Sequence, residues 1–271
     1  MAVGCATPPP EAPVELGALG LYLFEHFEDE DPAEISAGWR NLAAFLDAQS
    51  SEATGDRAVS MPILDGAALG GLSIPEGADA ANQVPVAISG PSAFPVGDHP
   101  VAIVDPVQTC LEADITVWAG RTFQTDADCF VSGACDRLET ETETRRELGI
   151  FLNVWYDQPK IYRRFAVEDE ERGPFEVIAG RAWIGERFEG DRGGTAMEQL
   201  FHLDVIVEQG DAALRWFALW SSIEGGLVGD DLYANLLTSG LEEALQFNEE
   251  YLATGEVTSC PHDRSAPRPP R

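Results

Sequence analysis

Between residues 111 and 254 the hydrophobic period changes once, from two to between three and four. That switch limits what the chain can fold into, because the first period lines one face of a strand and the second one face of a helix. ADITVWAG alternates around Ile115 and Val117, and LETETETRREL alternates Glu with Thr, as a solvent-facing strand does. GIFLNVWYDQPKIYRRFAVED holds two β-rich runs on either side of Asp157-Gln158-Pro159. FEVIAGRAWIGERFEG places Phe175, Val177 and Ala179, then Ala182 and Ile184, at strand spacing. QLFHLDVIVEQGDAALRWFALWSSIEGG predicts a hairpin about Gln209-Gly210-Asp211. DDLYANLLTSGLEEALQFNEEYLA then predicts one long helix opened by Asp230 or Asp231. Its stripe is Leu232, Leu236, Leu237, Leu241, Leu245 and Leu252. A helix with one apolar stripe must cover an apolar surface, and the strands supply it. The expectation is an α+β fold: a curved antiparallel sheet packed against a long C-terminal helix, with helices N-terminal to it.

This order of elements, over residues 111–254, resembles the START-like helix-grip domains, a family of hydrophobic-ligand binders. Cystatin-like and lipocalin-like sheets fit the same order. The helix-grip resemblance implies a small hydrophobic ligand in a cavity between sheet and helix. Aromatic residues crowd the strand region, and small-molecule sites are mostly apolar. Trp183 and Trp220 are the candidate cavity walls. A filled core with a structural or protein-interaction role is the alternative. A carboxylate-based enzyme is the third reading.

The rest of the chain reads as one domain with two tails. Residues 1–13 are a Pro-rich tether. Residues 14–50 are helical. The first helix, 14–28, is weakened by Gly17 and Gly20. The second is capped by Asp31, opened by Pro32 and striped by Ile35, Trp39, Leu42, Phe45 and Leu46. Residues 55–108, rich in Gly, Pro and Ala, read as irregular. Short strands are expected only at Val84–Ile88 and Val101–Val104, because five prolines interrupt pairing. Residues 255–271 are a C-terminal tail.

Net charge is −30, from 47 acidic and 17 basic residues. A surface this negative repels phosphate backbones, so nucleic acid is excluded as a partner. Lys160 is the one lysine among the basic residues. No run is long and apolar enough to span a bilayer.

Of five cysteines, Cys110, Cys129, Cys135 and Cys260 make an even set with no zinc spacing. They read as two disulfides of an oxidising compartment. Cys129 and Cys135 enclose a short Gly-containing loop, which leaves Cys110 to join Cys260. The fifth lies in Ala2-Val3-Gly4-Cys5-Ala6, ahead of Thr7-Pro8-Pro9-Pro10. That stretch resembles a bacterial lipoprotein cleavage site. The resemblance implies a lipid on Cys5 and an extracytoplasmic, membrane-anchored protein, periplasmic or at the cell surface. The anchor would be its only tie to the membrane.

No cofactor or metal signature stands out. His202, Asp204 and Glu208 share one strand face, opposite Phe201, Leu203, Val205 and Val207. One histidine with two acids is a weak ligand set, so the trio is assigned to a solvated face. Asp126 and Asp128 begin like a calcium loop, but Phe130 and Val131 break it. The acidic run Glu28–Asp31 reads as a solvated turn. Arg163, Arg181 and Arg215 stand among the aromatics; one turned inward would orient an anionic ligand head.

Overall fold

The computed structural model describes residues 11–29, 32–51, 59–66, 68–69, 71–72, 74–112, 116–148, 152–191, 194–225, 229–265 and 268. Cys5 and the Asp31 cap lie outside them. In chain order the elements are α1 (Leu16–Glu25), α2 (Pro32–Ser51), β1 (Val59–Ser60), β2 (Val84–Ser92), α3 (Pro100–Ile103), β3 (Thr116–Phe123), α4 (Ala127–Val131), β4 (Arg137–Leu148), β5 (Leu152–Val167), β6 (Phe175–Trp183), β7 (Phe188–Glu189), β8 (Ala196–Gln209), β9 (Ala212–Glu224) and α5 (Asp230–Thr254). The strands form one curved antiparallel sheet in the order β1-β2-β9-β8-β6-β5-β4-β3, with β7 on β8. The α+β expectation holds.

Three local readings are corrected. Val101–Val104 was expected extended, but Pro100–Ile103 is a helical turn. Pro100 stands at its start, where its fixed φ suits a helix. The β5 runs do not break at Asp157-Gln158-Pro159: one 16-residue strand passes through Pro159. Pro159 pairs with Glu141 of β4, and the pairing with β6 starts only at Lys160. Its missing N–H therefore falls where the strand has a single neighbour. Likewise β2 carries Pro85 and Pro91 in nine residues, and β1 pairs it only at Val86 and Ala87. Elsewhere, among the described residues, β2 has only β9 beside it.

Both faces of the sheet are covered. On one, α1 and α2 pack on Phe165, Val177, Phe201, Val205, Trp216 and Trp220. Gly20, a weak point for the helix by propensity, is what lets α1 approach: a Cβ there would lie 3.0 Å from Trp216. The other face carries α5, which closes in a left-handed cap at Gly255, φ +76°. Tyr233, Leu237, Leu241 and Leu245 are buried on it, with Val86, Leu200, Phe217 and Leu219. The stripe begins at Tyr233, whose hydroxyl lies 2.6 Å from Ser221 Oγ. Leu232, expected to open it, is half exposed.

The two disulfides join Cys110 to Cys260 and Cys129 to Cys135. The first ties the segment ahead of β3 to the tail beyond α5. No helix among the described residues is long and apolar enough to cross a membrane.

Candidate functional site: a buried polar belt under α5

Strand register assembles the site. Lys160 of β5 stands between Thr140 of β4 and Ala182 of β6, and His202 of β8 lies beyond Ala182. One row further on, Tyr162, Gly180, Asp204 and Phe217 are in line. Paired residues share a face, so these positions all lie on the face that carries α5. Small residues in the middle strand make room: a Cβ on Gly180 would come within 2.6 Å of the Tyr162 ring. On β4 the alternation of Glu with Thr turns Thr140, Thr142, Thr144 and Arg146 inward, all buried. β3 adds Arg121, opposite Thr142, and β9 adds Arg215, opposite Ile206.

This polar belt separates two apolar clusters on the same face. One lies under α5. The other gathers Val96, Ile103, Phe130, Leu138, Ile178 and Ile206. The roof is α5 together with the segment from His99 to Glu112. Asn248 of α5 donates to the Leu111 carbonyl at 2.9 Å, which fixes the stretch between Cys110 and Glu112.

The charges are not evenly matched. Glu112 reaches in from the roof, pairs with Arg121 and lies 3.5 Å from the Lys160 Nζ. Burial works to raise the Glu112 carboxyl, but Lys160, Arg121, His202 and Arg146 outweigh it and hold it down at about 2. Burial likewise opposes the charge on Lys160, and Glu112 more than restores it, so the ammonium is held above its usual range. Arg121 is also satisfied by Thr142 Oγ1 at 3.1 Å and the Ile103 carbonyl at 2.5 Å. Arg215 and Asp204 approach to 3.7 Å, too far for a hydrogen bond. Burial pushes the Asp204 carboxyl up, against the pull of Arg215. His202 and His99 are held neutral: burial, then Lys160, lowers His202, and burial, then Arg215, takes His99 to about 3.

Arg146 stands apart. Its residue is 7% exposed. Its guanidinium lies over the Tyr156 ring at 5.5 Å. Among the described residues it has no carboxylate partner, and its Nε and Nη1 are buried without a hydrogen bond. Nε and Nη1 of Arg215, Nε2 of His202, Nε2 of His99 and Oδ1 of Asp204 are also unsatisfied. Buried polar groups are nearly always bonded, so this concentration marks a place for water or a polar ligand.

Two compartments lie there, with Glu112 on the wall of both. One is lined by His99, Gln108, Lys160, Asp204, Arg215 and Asn248 among others. The second is lined by Arg146, Gln158 and His202 on one side and by Leu200, Leu219, Leu237 and Leu241 on the other. Each has a free volume of about 20 Å³, room for about one water.

The residues read from the sequence fall in four places. Trp183 and Trp220, expected as walls of a cavity under the C-terminal helix, lie on the opposite face. Trp220 pairs with Phe201, packs edge-on to Phe24 and donates its indole N–H to the Pro62 carbonyl at 2.9 Å. Trp183 packs at the margin of that same cluster. Residues that differ by an odd number along a strand point to opposite faces, and 182 and 219, not 183 and 220, face α5. Arg163 and Arg181 also point to the α1–α2 face, where they donate to the Phe27 and Phe24 carbonyls. Arg215 is the arginine that turns into the belt. His202 and Asp204 are buried rather than solvated, because α5 and the 99–112 segment cover a face that polarity alone assigns to water. Glu208 lies outside the belt and accepts from the Glu176 N–H. Asp126 caps α4 by accepting from Cys129 N–H at 3.0 Å, which accounts for the first acid of the calcium-like pair. Within the acidic run, Glu28 pairs with Arg137.

Glu112, Arg121, Arg146, Lys160 and Gln158 were not singled out as site residues from sequence. The available signal was the only lysine, set at an inward strand position, and a Thr-x-Thr-x-Thr-x-Arg spacing beside it.

No family model and no curated protein matches the sequence. Among solved structures, the chain is similar to a STAR-related lipid transfer protein fragment from Xanthomonas axonopodis, at 10% identity and a TM-score of 0.43, over 63% of this chain and 86% of that one. It is similar to a Thermus thermophilus protein at 12% identity and a TM-score of 0.40, over 64% and 99%. A START superfamily protein from Mycobacterium smegmatis is similar at 13% identity and a TM-score of 0.37, over 64% and 99%.

Proposed function

We propose that this protein binds a small, largely hydrophobic molecule between its sheet and α5, and that it does so outside the cytoplasm. The observation that carries the reading is the second compartment: four leucines from β8, β9 and α5 share its lining with the unsatisfied Arg146 and His202. An apolar wall with a few convergent polar groups is the usual make-up of a ligand site. The present free volume is small, so a ligand enters by displacing water and shifting α5 or the Glu112 segment. The two disulfides support an oxidising compartment. A lipid on Cys5 would hold the protein at a membrane surface. Cys5→Ser, expressed with a complete export signal, should release it from the membrane fraction; unchanged retention rejects the tether.

Leu241→Ala tests the ligand site. It enlarges the leucine-lined compartment and should raise the affinity for a neutral apolar probe such as octanol, read by calorimetry. If neither the parent nor the variant binds, the alternative of a filled structural core replaces this reading.

A further inference from the structure

Resting on that binding reading, we infer that the ligand carries an anionic head, of the carboxylate class, and that Arg146 is the residue that recognises it. Among the described residues, Arg121, Arg146, Lys160 and Arg215 face the belt, against Glu112 and Asp204. Two carboxylates cannot balance four cations, and the surplus sits inside a chain whose net charge is −30. Acidic residues are abundant elsewhere, so the excess of cations here is local to this site.

The surplus is at Arg146. Arg121 and Lys160 share Glu112, and Arg215 faces Asp204. Arg146 has an aromatic ring and two idle N–H groups. Glu112 acts on Arg146 only from beyond ion-pair distance; no carboxylate among the described residues pairs with it, and burying a guanidinium unpaired is costly to the fold. Such a group persists where it has a task, and stability is often given up at functional sites. A guanidinium is a planar set of charged N–H donors, from which carboxylate oxygens accept strong hydrogen bonds. His202 Nε2, unsatisfied on the same wall, is a further polar contact for the head.

The shape of the compartment adds the rest of the ligand. Glu112, Arg146, Gln158 and His202 form its polar wall, and Leu200, Leu219, Leu237 and Leu241 its apolar one. A head on Arg146 therefore directs its body along the leucines under α5. Glu112 already shows that a carboxylate is accommodated among these cations, held by Arg121 and Lys160. The class indicated is an amphipathic monocarboxylate with an alkyl body.

The test compares octanoate with octanol on the oxidised protein and on Arg146→Met, by calorimetry. Octanoate should bind the parent roughly tenfold to a hundredfold more tightly than octanol, the range of a charge-assisted hydrogen bond. In the variant the two should bind alike, through loss on the octanoate side only. Equal binding of both by the parent overturns the anionic head and leaves the apolar reading standing. Binding of neither removes both. Thermal unfolding without ligand supplies a second readout. Arg146→Met should unfold at a higher temperature than the parent, because it deletes an unpaired buried charge and keeps the side-chain volume. A lower unfolding temperature, or failure to fold, would make Arg146 a structural strut and overturn its assignment to the ligand.

Discussion

The two faces of this sheet are both buried, yet they are held by different physics. The α1–α2 face is dry at its centre: Phe24, Trp39, Phe201, Trp216 and Trp220 belong to one apolar cluster. Its buried Arg181 stacks on Phe24 and Phe27 and reaches outward to Glu28. The α5 face is divided, with apolar clusters at either end and Glu112, Arg146, Lys160, His202, Asp204 and Arg215 between. The contrast teaches where to look for chemistry. Burial of apolar area stabilises in proportion to what is removed from water. Burial of charge does not, unless every group is paired. The dry face therefore holds the fold, and the divided face is where the fold gives up stability.

The largest expected effect tests how the roof of the divided face is held. Replacing Cys110 and Cys260 by Ala opens a link across a sequence separation of 150 residues. On the chain-entropy model this costs about 5 kcal/mol. Denaturant titration measures it. Because Cys110 stands two residues from Glu112, octanoate affinity should change as well, while Trp emission from the dry face should not. A blue or red shift of that emission in the native variant would show that the two faces are not separable.

Next in size is the dry face itself. Trp220→Ala should lose about 3–5 kcal/mol, the usual cost of emptying a fully buried aromatic site. Affinity for octanol or octanoate, corrected for the unfolded fraction, should stay as it was. A loss of affinity would return Trp220 to the ligand site and break the comparison.

A smaller effect comes from pH. The unfolded chain protonates His99 near 6.5, but the folded chain resists until about 3. Between those values the unfolded state binds more protons, so stability falls as pH falls. Each unit crossed is worth about 1.4 kcal/mol, or about 2 kcal/mol from pH 7 to 5. His202 acts in the same direction. Asp204 acts oppositely: its raised carboxyl favours the fold at low pH and weakens it as pH rises through its folded value. The difference between parent and His99→Gln isolates the first contribution. If the two lose stability in parallel between pH 7 and 5, His99 does not carry it.

How much of this was legible in the sequence follows the same division. Alternation found the dry face, since Phe201, Leu203, Val205 and Val207 are apolar and inward at once. It found the hairpin and the long helix, and the cysteine count found both disulfide pairings. Alternation failed where inward residues are polar. Thr140, Thr142 and Thr144 look like the wet side of a strand, and only α5 and the 99–112 segment, distant in sequence, make that side an interior. The size of Trp183 and Trp220 suggests cavity walls, but strand register decides the face, and it turns both toward α1 and α2. Glu112 was out of reach, since its partners come from β3 and β5 and nothing in its own neighbourhood announces them.

The smallest expected effect is the sharpest test of the contrast. Arg215 and Asp204 face each other at 3.7 Å, both almost fully buried, with Nε and Nη1 of the arginine and Oδ1 of the aspartate unbonded. Removing one partner leaves a lone buried charge, whereas replacing both with apolar groups of similar volume is often neutral or stabilising. The double variant Arg215→Met with Asp204→Leu should therefore stay within about 1 kcal/mol of the parent. On the dry face, no double change that alters two large side chains should be so mild, because close-packed shape is what holds it. Chemical denaturation of the double variant decides the matter. A loss of about 3 kcal/mol or more, the scale of breaking a buried pair, would mean that the belt supports the fold as the dry face does. Retained stability would leave the belt free to serve a ligand.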